Sequence, residues 1–188
     1  MGDVGSSFVP AEERETAVVI VVEVAGLDAV YREEFPAFHA LGIPLHATLR
    51  YPFVRPDHLE AALPRLTEVL KKHHRFDFSL TELKTFPRTV WVAPDPAAPF
   101  IALTEAIEAA FPETSQREFA EVIPHVTLVD GLEESRLEET VQRLRPVVEP
   151  LLPVALSADE LVVLAEQQDG RMPVVARLPL GGDSSGTF

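Results

Sequence analysis

His46-Ala47-Thr48-Leu49 returns 79 residues later as His125-Val126-Thr127-Leu128. On a β-strand, side chains two residues apart share a face. Each tetrapeptide therefore presents an imidazole and a hydroxyl on one side. Ala47 and Leu49, or Val126 and Leu128, take the other. Two such strands side by side would gather two histidines and two threonines around one small space. Imidazole has an unperturbed pKa of about 6.5, so near neutrality one ring can accept a proton while the other donates one. Hydroxyls can donate to the oxygens of a phosphate as charge builds there. This is equipment for attack on a phosphodiester.

The repetition extends beyond the motifs. Leu59-Glu60 and Arg65-Leu66 recur as Leu137-Glu138 and Arg143-Leu144, an offset of 78. At that offset Phe76, Phe78, Ser79, Glu82 and Leu83 meet Val154, Leu156, Ser157, Glu160 and Leu161. Phe35-Pro36 and Ile43-Pro44 before the first motif match Phe111-Pro112 and Ile123-Pro124 before the second. One nearly constant offset linking a helix, a strand and the motifs reads as an internal duplication. The expected fold is α+β, with two pseudo-symmetric lobes. Each is a small, mainly antiparallel sheet with outer helices, and a cleft lies between them.

Periodicity supports that order of elements. Strands are expected over Thr16–Val24, Leu45–Val54, Arg75–Leu83, Val90–Ala93, Val122–Val129, Val154–Ala165 and Val174–Leu180. Helices are expected over Ala29–Phe38, from an Asp57 cap to about His73, over Phe100–Phe111 and over Glu133–Val148. Pro64 implies a kink or a late start in the second helix. Residues 1–15 read as a flexible leader, 16–180 as one bilobal domain and 181–188 as a flexible tail.

Composition bounds the partners. The chain of 188 residues has no cysteine, which removes disulfides, thiol nucleophiles and cysteine-based zinc sites. Its formal charge of −14 and lack of a basic run make it a poor grip for long nucleic acid, which is held by neutralising phosphates. A single terminal phosphate or a small nucleotide remains compatible. No apolar run reaches 18 residues and the first residues lack a secretory pattern, so no membrane span and a cytoplasmic, monomeric protein are expected. No third or fourth ligand accompanies the histidines at zinc-site spacing, so neither metal nor cofactor is expected.

The paired motifs resemble the H-x-T-hydrophobic signature of the two-histidine phosphoesterases, the superfamily that includes the 2′-5′ RNA ligase-like proteins. Leu49-Arg50-Tyr51-Pro52-Phe53 and Ile123-Pro124 resemble sequence flanking those motifs in one bacterial branch. The resemblance spans roughly Ala17 to Leu180. It implies a bilobal fold and metal-independent hydrolysis of a cyclic phosphate, typically 2′,3′, or of a 2′-5′ linkage in a nucleotide, RNA end or small metabolite. His46 and His125 would share acid and base duties, and Thr48 and Thr127 would hold the phosphate. ATP-independent 2′-5′ RNA joining also occurs in the superfamily, and a binding module that captures phosphorylated ligands without turnover is the other alternative.

Arg50, Tyr51 and Phe119 are the expected substrate contacts. Several relatives carry a basic residue shortly after the second motif, where this chain has Val129-Asp130. Arg50 continues the two-residue register of His46 and Thr48 and would then face the cleft; a solvated strand-end arginine is the alternative. Phe86 and Trp91 lie in an apolar strand region and are read as core.

Overall fold

The computed structural model describes residues 14–114 and 121–181. Its strands are β1 (Thr16–Val21), β2 (His46–Arg50), β3 (Phe76–Phe86), β4 (Thr89–Asp95), β5 (Val126–Val129), β6 (Val154–Ala158), β7 (Glu160–Ala165) and β8 (Val174–Pro179). Its helices are α1 (Ala25–Glu34), α2 (Pro36–Ala40), α3 (Leu59–Leu70), α4 (Ala98–Ala110) and α5 (Glu134–Val148). The α+β class and antiparallel pairing are as expected. The leader and tail fall mostly outside the described residues.

Local chemistry explains most boundaries. The helix expected over Ala29–Phe38 is two, because a proline disfavours helical backbone in the residue before it. Phe35, preceding Pro36, sits at φ −131°, ψ 52°. Asp57 does not cap α3; its carboxylate is held by Arg55 at 2.7 Å, and a 3-10 turn over Pro56–His58 leads in. Pro64 lies within α3, which runs unbroken from Leu59. Leu59, Ala62, Leu66 and Leu70 recur at helical spacing and bury one face of it.

The two expected sheets are halves of one, in the order β6-β3-β4-β5-β2-β1-β7-β8, with every neighbouring pair antiparallel. The lobes do not coincide with halves of the sequence. β3, from the first repeat, pairs with β4 and β6; β7, from the second, pairs with β1. The helices are exchanged likewise, α1 lying against β5 and α4 against β2. Only Asp159 separates β6 from β7, although they are first and seventh in the sheet. Six strand spacings amount to about 29 Å in a flat sheet, whereas two residues span at most about 7 Å. The sheet must curl until its ends approach.

The pairing register is itself symmetric. Ala47 pairs with Val126, its own counterpart in the duplication, and Phe78 pairs with its counterpart Leu156. A pseudo-two-fold relation passes through both pairs. The main core lies between the sheet and the helices, and Val18, Leu27, Leu66, Phe100, Ile107 and Leu144 belong to it. A smaller cluster of Ala17, Val19, Ile43, Val162 and Leu164 occupies the opposite face of the first lobe.

Both motif strands break register at the same place. Val19 opposes Thr48 but Val18 opposes Arg50, leaving Leu49 as an extra residue. Trp91 opposes Thr127 but Val90 opposes Val129, leaving Leu128 extra. A bulge shifts the alternation by one. Arg50 therefore shares the helix-side face of Val18 rather than the face of His46 and Thr48. It is buried, 6% exposed, with Nη1 at 3.4 Å from Glu108 Oε1 on α4. The sequence register pointed Arg50 into the cleft, and the bulge turns it the other way. Replacing Arg50 with Ala is expected to destabilise the fold by about 1–3 kcal/mol through loss of its buried side chain and of its ion pair with the partly buried Glu108, as read by urea unfolding. Affinity for inorganic phosphate should stay near that of the parent, whereas a large loss of affinity at unchanged stability would return Arg50 to the cleft.

Candidate active site

The Ala47–Val126 pair fixes what stands around it. Continuing that register by one residue in each direction sets His46 opposite Thr127 and Thr48 opposite His125. All four then share the face opposite the buried Ala47 and Val126. Directly opposed side chains have Cβ atoms roughly 4.5–5.5 Å apart and diagonal ones roughly 7–8 Å. The imidazoles occupy one diagonal of a small quadrilateral and the hydroxyls the other.

Each ring is oriented by the backbone two residues before it. Nδ1 of His46 lies 2.7 Å from the Pro44 carbonyl, and Nδ1 of His125 lies 2.8 Å from the Ile123 carbonyl. A carbonyl only accepts, so Nδ1 must carry the proton and donate it. Nε2 of a neutral ring is then left with a lone pair. At His46, Nε2 is 3.1 Å from Thr48 Oγ1, whose hydroxyl is placed to donate to it. Burial holds the His46 imidazole below its ordinary pKa. The Pro44 hydrogen bond opposes that shift, and the nearby His125 adds to it.

The walls differ between the lobes. On the second lobe, Phe86 and Trp91 stack with centroids 4.8 Å apart. Both meet the His125 ring edge-to-face, at 5.1 and 5.8 Å. Phe86 and Trp91 thus pack against a motif histidine instead of merely filling core. Lys84, opposite Trp91 on β3, places Nζ 6.0 Å from that ring. The equivalent positions on the first lobe are Leu164, Val19 and Val162, all aliphatic.

A cleft of about 350 Å³ opens on the first-lobe side. His46, Thr48 and Thr127 form its motif end. Phe35, Phe38, Leu41, Ile43, Leu164 and Met172 make it largely apolar. Tyr31, whose hydroxyl donates to the Ile43 carbonyl, also lines it, and Tyr51, Asp130 and Glu166 supply further polar groups. Tyr51 and Asp130 follow the two bulges at equivalent positions, which explains why they line the cleft and Arg50 does not. The half-exposed Tyr51 has its hydroxyl pKa raised, first by burial of the oxygen and then by a hydrogen bond and negative charge from Glu15 and by Glu166. Phe119 lies outside the described residues. The sequence carried no clear sign of Phe38, Glu166 or Met172, which come from α2 and from the turn between β7 and β8. Among the described residues, no cluster of three or more His, Asp or Glu could hold a metal ion, and no helix is long and apolar enough to cross a membrane.

Comparison with known proteins agrees with this architecture. No curated protein matches the chain. Among solved structures, Escherichia coli LigT in complex with 3′-AMP superposes with a TM-score of 0.58 at 17% identity, covering 90% of this chain and 99% of LigT. TT0787 of Thermus thermophilus does so with a TM-score of 0.59 at 15% identity, covering 90% of this chain and 99% of that one. At such identities the likeness is one of fold. The model of the 2′-5′ RNA ligase superfamily matches residues 20–170, a stretch that contains both tetrapeptides and the exchanged strands. The chain belongs to the 2′-5′ RNA ligase superfamily.

Proposed function

We propose that the protein is a two-histidine phosphodiesterase that opens a cyclic phosphate of the 2′,3′ type, or cleaves a 2′-5′ linkage, in a small nucleotide or an RNA end. The observation that carries this reading is the diagonal pair of imidazoles, each with Nδ1 tied to a backbone carbonyl, so that Nε2 is the basic nitrogen of each neutral ring. Membership of the superfamily supports it. The presence of 3′-AMP in the similarly folded LigT supports a nucleotide-sized ligand.

Burial keeps the His46 ring neutral at neutral pH, which suits it to be the base. It takes a proton from water as the water oxygen attacks phosphorus. One phosphorus–oxygen bond of the ring breaks, and the departing oxygen receives a proton from His125. When substrate enters, the Thr48 hydroxyl turns from His46 Nε2 to a non-bridging oxygen, freeing that nitrogen, and Thr127 donates to the other, where negative charge grows in the transition state. Removing the base or the acid forfeits its proton transfer. His46→Ala and His125→Ala are each expected to lower kcat/KM for a nucleoside 2′,3′-cyclic phosphate by roughly 10²–10⁴-fold. Thr127→Val should cost about 10²–10³-fold, mostly in kcat. Parent protein that binds such ligands without ever opening the ring would mark a capture module instead.

The pH profile provides a second check. A lowered pKa means that His46 stays neutral to lower pH, so the acid limb of kcat/KM should fall below about pH 6.5. That limb should disappear from the residual activity of His46→Ala. An acid limb centred above pH 6.5 in the parent protein would remove His46 from the role of base.

A further inference from the structure

The charge lining the cleft bears on which phosphodiesters fit it. Away from the motif end, the described residues that line the cleft include no lysine or arginine, and its charged side chains are Asp130 and Glu166. Neither carboxylate is neutralised by an ion pair among the described residues. Asp130 accepts from the Thr89 hydroxyl at 2.5 Å, and Glu166 accepts from the Glu15 amide at 3.4 Å. Arg50, the cation nearest the motifs in sequence, points to the helix side and pairs with Glu108. Lys84 lies over Trp91 on the other lobe. The rest of the surface is apolar, with Phe35 and Phe38 stacked at 4.0 Å. At this rim burial first, and then Glu15 and the charge of Glu166, raise the pKa of the Tyr51 hydroxyl.

We infer that this cleft takes an uncharged or cationic apolar group attached to the scissile phosphate, and that Asp130 and Glu166 select against substrates with a second phosphate there. The inference rests on the phosphodiesterase reading and narrows it. The preferred substrate class is the phosphodiester whose only anionic group is the one being cleaved, such as a nucleoside 2′,3′-cyclic phosphate without a 5′-phosphate. Unit charges several ångströms apart near a protein surface interact strongly enough to change affinity by an order of magnitude or more. Two carboxylates facing a phosphate therefore suffice for discrimination. The motif end remains usable because its donors are the neutral hydroxyls and the imidazoles, which contribute no fixed negative charge.

The test compares kcat/KM for adenosine 2′,3′-cyclic phosphate with that for the same compound bearing a 5′-phosphate. The parent protein is expected to prefer the first by at least about tenfold. High salt should narrow the gap by screening, and so should the combined Asp130→Asn and Glu166→Gln replacement. The salt series needs no variant, so it decides the matter even if the double variant folds poorly. Equal efficiency toward both compounds would overturn the selectivity while leaving the phosphodiesterase reading intact. A preference that survives both high salt and the double replacement would overturn the assignment to these carboxylates. Failure to open either ring would overturn the cyclic-phosphate reading and this inference with it.

Discussion

A single cross-strand pair, Ala47 with Val126, joins the two lobes at the centre of the sheet. Both side chains are buried, at 1% and 0% exposure, and both turn toward the helices. Their neighbours must then turn the other way, into the cleft. A slip of one residue would reverse every side chain on the strand. It would bury the imidazoles and expose the aliphatic residues, so burial of the apolar set enforces the register. The arrangement of the two histidines and two threonines thus follows from hydrophobic patterning on the opposite face.

Much of this was legible in the sequence because it depended on periodicity. The tetrapeptides state their own strand geometry, and the repeated offset shows that they are equivalent. The exchange of β3 and β7 between lobes was not legible, because repeat symmetry is satisfied equally whether each third strand stays at home or crosses. Arg50 was misdirected for a local reason. Strict alternation places it beside Thr48, but the extra residue at Leu49 rotates it toward Glu108. The same bulge at Leu128 buries Val129 and leaves Asp130 facing the cleft. Phe38 and Met172 could not be assigned to the site because they reach it from segments far apart in sequence.

The duplication supplies two nearly equal half-sites, and later divergence has made their walls different. Aromatic rings and a lysine from β3 and β4 stand beside His125, whereas the equivalent positions on β1 and β7 are aliphatic and the cleft at His46 carries two carboxylates. Symmetric chemistry is thereby placed in an asymmetric setting. Burial lowers the pKa of His46, and the neighbouring imidazole contributes in the same direction. Acid and base roles can separate even though the two motifs are built alike.

The central claim is that the Ala47–Val126 bridge brings the two imidazoles to one site, where burial first and the neighbouring ring second hold His46 neutral. It is tested most directly by following the ring nitrogens of His46 through a pH titration by NMR, in the parent protein and in His125→Ala. This placement predicts a His46 midpoint below about 6.5, with Nδ1 bearing the proton of the neutral ring, and an upward move of that midpoint when His125 is removed. A midpoint unchanged by loss of His125, or one already above the ordinary value, would contradict it.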